Sequence, residues 1–140
     1  MQSVEGGCHC GNIRMQLQFT REPAAYHPRA CDCDFCRRHA AAYISDPQGS
    51  LSVWITDNSE AGRYRQGSGQ AQFLVCKRCG VLAAALFEGD GQLYAAVNAR
   101  AVDPLVSFGK EQPVSPQKLG AADKAKRWQE LWFHTVMVSP

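Results

Sequence analysis

Seven cysteines fall into three groups: Cys8-x-Cys10, Cys31-x-Cys33-x2-Cys36 and Cys76-x2-Cys79. Thiolate sulfur is a soft ligand, and a C-x2-C pair with a second cysteine pair tens of residues away is a strong sign of a zinc site. Cys8, Cys10, Cys76 and Cys79 together offer four thiolates, enough to saturate a tetrahedral ion. A closed site of that kind does no chemistry and contributes folding free energy, on the order of 10 kcal/mol. Cys31, Cys33 and Cys36 offer three ligands on one short stretch and leave a fourth position open. An open position is what separates a reactive zinc site from a structural one. Water, a thiol or a substrate enters there, and a metal-bound thiol loses its proton.

The neighbours of the triple cluster set its charge. Arg37 and Arg38 follow Cys36 directly. They would lower thiolate pKa values and draw in an anion, or else form an ordinary solvated face. Asp32 and Asp34 work the other way, since negative charge disfavours thiolates and anions alike. Asp32, Asp34 and His39 are also the groups that would close a second, merely structural site. His9 lies between Cys8 and Cys10. Neighbours in extended backbone point to opposite faces, so His9 is expected to face away from a metal those two share. Gly11 and Gly80 each follow the second cysteine of a pair. Glycine there allows φ > 0 and lets backbone N–H groups approach sulfur, as a metal-gripping knuckle requires.

A chain of 140 residues predicts one domain spanning 1–140. The net charge of +2 is too small to argue for nucleic acid. The first residues carry neither a basic nor an apolar signal segment, and the longest apolar run, Val81 to Phe87, is far short of a membrane span. A soluble cytoplasmic protein is expected. Thiols stay reduced in that compartment, so clustered cysteines mean metal or redox chemistry rather than disulfides.

The positioning elements follow from pattern. Ile13, Met15, Leu17 and Phe19 alternate with polar residues, predicting a half-buried strand over 12–19. Tyr26 to Ala30 predicts a short strand, limited by Pro28, that delivers the chain to Cys31. Arg37 to Ala42 predicts one helical turn, followed by extended backbone from Tyr43 to Ser45. Leu51, Val53 and Ile55 mark another strand, and Arg63 to Arg65 a short one. Ala71 to Val75 predicts a strand running into Cys76. Val81 to Glu88 and Gln92 to Asn98 predict a hairpin around Gly89-Asp90-Gly91. Cys76 and Cys79 then fall at a hairpin tip, where two sulfurs converge. Residues 99–118 carry Pro104, Pro113 and Pro116 and read as irregular. Ala121 to Phe133 predicts a helix with Ala125, Trp128, Leu131 and Trp132 on the face that packs on a sheet.

Gly7-Cys8-His9-Cys10-Gly11, Cys31-x-Cys33-x2-Cys36-Arg37-Arg38 and Cys76-x2-Cys79-Gly80 together resemble the glutathione-dependent formaldehyde-activating enzyme family, which includes the centromere protein V proteins. The resemblance runs over about residues 4–105, and Tyr94-Ala95-Ala96-Val97-Asn98 to Asp103-Pro104 is similar to the strand and loop that close the family's domain. It implies a mainly β fold, a β-tent of small antiparallel sheets organised by zinc, with the C-terminal helix as an extension. It implies a structural zinc on Cys8, Cys10, Cys76 and Cys79, and a catalytic, more labile zinc on Cys31, Cys33 and Cys36. It further implies a carbon–sulfur lyase or synthase that joins glutathione and formaldehyde reversibly into S-hydroxymethylglutathione. The family often has a basic residue or His where Asp32 stands, and Ser where Asp34 stands.

The expected function is therefore zinc-dependent chemistry on a thiol–aldehyde adduct. The expected partner is a small thiol or adduct such as that of glutathione, with no nucleic acid and no membrane. Two other readings remain open: a non-enzymatic zinc-binding interaction module, and a metal- or redox-handling protein that uses Cys31, Cys33 and Cys36 as exchangeable thiols. Salt-dependent binding to DNA or RNA would mark the first. Thiols that react before unfolding would mark the second.

Overall fold

The computed structural model describes residues 1–139. Its strands are β1 (Gln2–Gly7), β2 (Ile13–Phe19), β3 (Arg29–Cys31), β4 (Ala42–Ile44), β5 (Ser50–Ile55), β6 (Ala61–Tyr64), β7 (Ala71–Cys76), β8 (Leu82–Gly89), β9 (Gln92–Asn98), β10 (Gln112–Val114) and β11 (Thr135–Ser139). Its helices are α1 (Asp34–Arg38) and α2 (Ala121–Leu131). The strands form two sheets, ordered β1-β2-β5-β11 and β10-β3-β4-β9-β8-β7-β6. Neighbours are antiparallel except for β11 beside β5 and β10 beside β3. The mainly β architecture with a short C-terminal helix is as the sequence predicts.

The alternating pattern of β2 places Ile13, Met15, Leu17 and Phe19 on one buried face. In register, Met15 lies opposite Val53 and Leu17 opposite Leu51 of β5. This face packs on Leu74, Ala84, Leu86, Ala95 and Val97 of the larger sheet, giving a core between the two sheets. The far side of the larger sheet carries a second core. There Phe73, Ala85, Phe87, Tyr94 and Ala96 meet Trp128, Leu131 and Trp132. A strand buried on both faces loses its alternation, which is why Leu82 to Phe87 is apolar throughout.

Four local expectations are revised. The strand predicted over Tyr26–Ala30 is shorter and later, Arg29–Cys31, since Pro28 has no N–H to give a ladder. The helical turn predicted at 37–42 lies earlier, at Asp34–Arg38. Residues 99–118 are not irregular throughout: Gln112–Val114 lies beside β3, with Pro113 on an outer strand that tolerates a missing N–H. The C-terminal helix ends at Leu131 rather than Phe133. Phe133 instead exchanges both backbone hydrogen bonds with Ala95, at 2.8 and 3.2 Å, which requires extended backbone. Its ring enters the inter-sheet core, 5.7 Å from that of Phe19.

Candidate metal centres

Cys8 and Cys10 sit between β1 and β2 of the smaller sheet, and Cys76 and Cys79 at the β7–β8 tip of the larger. The four Sγ atoms lie within 4.8 Å of one another. Cys10 Sγ is 3.7 Å from Cys8 Sγ and 3.6 Å from Cys76 Sγ. A tetrahedral ion with metal–sulfur bonds of about 2.3 Å holds its sulfurs about 3.8 Å apart, so the donor set fits one. The glycine reading holds: Gly11 has φ 87° and Gly80 φ 80°. The turn after Cys79 closes with Gly80 N–H donating to the Cys76 carbonyl at 2.8 Å. Backbone N–H groups also reach sulfur, with Ile13 donating to Cys8 Sγ at 3.2 Å. Burial opposes ionisation of Cys79, but the N–H groups of Cys10 and Val81 outweigh it and bring its pKa to about 6. Cys10 receives a favourable N–H from Asn12, yet burial and the sulfurs of Cys76, Cys8 and Cys79 push it up to about 11. The Cys79 thiolate forms readily while Cys10 resists, and a cation would relieve that charge. His9 is exposed and outside the cluster, as expected, although it lies in a turn rather than in extended backbone.

The second cluster is built by a strand, a cap and a helix. β3 ends on Cys31. Cys33 is the N-cap of α1, its sulfur accepting from Cys36 N–H at 3.4 Å in the role a serine oxygen usually fills. Cys36 lies in the first turn and is 1 % exposed. The three Sγ atoms lie within 4.8 Å of one another. Among the described residues no fourth His, Cys, Asp or Glu joins them. A hydrogen bond from Cys36, helped by the Cys33 N–H, overcomes burial and lowers Cys31 to about 6. The same bond to Cys31, together with burial, pushes Cys36 far up. Burial likewise raises Cys33. Tyr43 Oη lies 3.1 Å from Cys36 Sγ and is itself pushed up by burial and by that sulfur.

Of the two arrangements open to Arg37 and Arg38, the structure shows the solvated face. Arg37 and Arg38 are exposed and neither lines the cleft beside Cys31, Cys33 and Cys36. Arg38, Asp34 and His39 face a separate groove with Phe35 and Tyr64. Asp32 turns away to accept hydrogen bonds from Ser115 Oγ and from Gln117 Nε2, the latter at 3.1 Å. The cleft beside the cluster, about 70 Å³, is lined by Tyr43, Phe73, Trp128 and Trp132, and by two arginines, Arg29 and Arg127. Burial, and secondarily Arg127, lowers Arg29 to about 10, which leaves it charged at neutral pH. Sequence reasoning missed Arg29, Tyr43, Arg127 and Trp128 as site residues. They stand far apart in the chain, and only Trp128 carried a signal, as a member of an apolar helix face. A wider open groove of about 1060 Å³ runs past Cys8 and Trp54 and includes none of the triple cluster.

The fold is similar to that of a crystallised Rhodobacter sphaeroides protein. The two are 24% identical with a TM-score of 0.55, over 72% of this chain and 89% of that one. No curated protein matches the chain. No helix among the described residues is long and apolar enough to cross a membrane. Residues 3–118, which carry all seven cysteines, match the family described as glutathione-dependent formaldehyde-activating enzyme, and the chain belongs to that family.

Proposed function

We propose that residues 1–140 act as one zinc-organised domain that reversibly joins a thiol to a small aldehyde, a carbon–sulfur lyase or synthase working at Cys31, Cys33 and Cys36. The observation that carries this reading is the triple cluster itself: three converging sulfurs, no fourth protein ligand among the described residues, and a cleft beside them. Cys8, Cys10, Cys76 and Cys79 would hold a structural zinc, and the three others a second, more labile one. Zinc at the second site would supply Lewis acidity and lower the pKa of a bound thiol.

The chain's own groups do the rest. The Tyr43 hydroxyl and the N-cap geometry at Cys33 fix the direction of the sulfurs. Phe73, Trp128 and Trp132 exclude water from the cleft and hold the reactants together, which removes part of the entropic cost of their encounter. In the forward direction a bond forms between the substrate sulfur and the carbonyl carbon. The thiol proton ends on the carbonyl oxygen, and the reverse reaction returns it. The family's name makes glutathione and formaldehyde the first pair to test.

Exchange between formaldehyde, glutathione and their adduct, followed at equilibrium by NMR line shapes, should be faster with the zinc-loaded protein. Cys31→Ser, Cys33→Ser and Cys36→Ser should each abolish the acceleration. Line shapes identical for wild-type protein, the Cys33 variant and buffer alone would leave the chain without this activity.

A further inference from the structure

Arg29, from β3, and Arg127, from α2, line the same cleft as the three cysteines. Neither has a carboxylate partner: the ion pairs among the described residues are Arg78–Asp57 and Arg100–Glu111. Arg29 donates at 2.7 Å to Ser45 Oγ, a neutral acceptor that itself donates to the Leu131 carbonyl. The Arg127 side chain makes no hydrogen bond among the described residues. Asp123 and Glu130, the acids nearest to it on α2, are exposed and unpaired with it. Two like charges thus repel each other beside aromatic walls. That arrangement is unfavourable until an anion lies between them. The cleft is open to solvent on one side and narrows to about 70 Å³ beside the sulfurs, room for a carboxylate group between the two guanidinium groups. Arg127, Trp128, Leu131 and Trp132 come from α2, which lies beyond the residues that match the family, 3–118.

We propose that Arg29 and Arg127 form a carboxylate clamp, half of it supplied by α2, which favours a thiol or aldehyde carrying its own carboxylate close to the reacting atom. This rests on the triple cluster being a thiol–aldehyde site. The clamp residues determine specificity: they hold the anionic end while the sulfur or carbonyl points to Cys31, Cys33 and Cys36. Arginine suits the task because its planar fork matches a carboxylate in two places.

The test uses the full-length, zinc-loaded protein and tryptophan fluorescence, since Trp128 and Trp132 line the cleft. The probes are mercaptoacetate, 2-mercaptoethanol, acetate and glutathione, with zinc content measured after each titration. Mercaptoacetate should bind at least tenfold more tightly than 2-mercaptoethanol and than glutathione. Arg127→Gln, on the helix surface and checked for an unchanged melting curve, should reduce the preference over 2-mercaptoethanol to less than twofold, and Arg127→Lys should restore part of it. Equal binding of mercaptoacetate and 2-mercaptoethanol, both unaffected by Arg127→Gln, would overturn the clamp and leave the thiol site standing. Acetate binding that depends on Arg127, with no gain from the thiol and no effect of Cys33→Ser, would support the clamp and overturn the thiol reading. Glutathione, whose carboxylates lie far from its sulfur, binding as tightly as mercaptoacetate would overturn the preference for a carboxylate close to the reacting atom.

Discussion

Asp46 is 4 % exposed, yet its carboxylate is fully partnered. It accepts from Thr20 N–H at 2.9 Å, Thr20 Oγ at 2.6 Å, Tyr26 Oη at 2.5 Å and Gln48 N–H at 2.9 Å. Burial pushes its pKa up, but these four donors push harder and hold it below the ordinary carboxylate value. A depressed folded pKa contributes stability above the unfolded value, about 3.9, and that contribution is lost as pH falls through the folded value. Asp46→Asn should therefore destabilise the protein at pH 7 by about 1–3 kcal/mol. Urea melts of both proteins at a series of pH values should show the gap closing below about pH 4. A gap that persists undiminished to about pH 3 would assign the loss to packing rather than charge. At this scale the sequence was most legible where chemistry is a property of residue type. Cys8, Cys10, Cys76 and Cys79 group as their spacing predicts, and Cys31, Cys33 and Cys36 form a second group. Arg29 and Arg127 were not legible, because a guanidinium becomes part of a site only through what the fold sets opposite it.

α1 is five residues long and depends on its ends. Its C-terminus has Ala40 in the left-handed region at φ 51°. Ala40 N–H bonds to the Arg37 carbonyl at 3.1 Å and Ala41 N–H to that of Cys36 at 3.0 Å, the pairing that usually carries glycine at the left-handed position. An L side chain there is disfavoured by about 1 kcal/mol or more. Ala40→Gly should stabilise the protein by up to about 1 kcal/mol, and Ala40→Val should destabilise it. Denaturant melts decide the matter, and a destabilising glycine would mean that the Ala40 methyl packs usefully. Elements with strong alternation, such as β2, were plain in the sequence, and β9 runs from Gln92 to Asn98 as predicted. β1 and β11 escaped notice. β1 buries only Val4, and β11 alternates only weakly, with Met137 exposed at a sheet edge. α1 was displaced in the reading because a cysteine N-cap gives no local start signal. The end of α2 was overrun because Trp132 and Phe133 continue the apolar pattern while tertiary pairing with Ala95 sets the backbone.

Across the whole molecule, the cluster of Cys8, Cys10, Cys76 and Cys79 draws residues from both sheets, whereas Cys31, Cys33 and Cys36 belong to β3 of the larger sheet and the helix that follows it. On the proposed assignment, Cys76→Ser should lower stability by several kcal/mol or prevent folding, since metal binding at such a site is coupled to folding. Cys33→Ser keeps a side chain able to cap α1 and should remain folded while binding about one zinc fewer. Zinc analysis with thermal melts before and after chelator compares them, and a less stable Cys33 variant would reverse the assignment. The placing of β11 beside β5 has a consequence for synthesis. At about 5–20 residues per second, β11 leaves the ribosome roughly 4–16 s after the strand it joins. For most of that interval α2 has not settled over Cys31, Cys33 and Cys36, and the nascent thiols stand open to metal. Zinc supplied during translation should therefore fill the second site more completely than zinc offered to the finished protein. Equal filling would mean that the helix yields readily to an arriving ion.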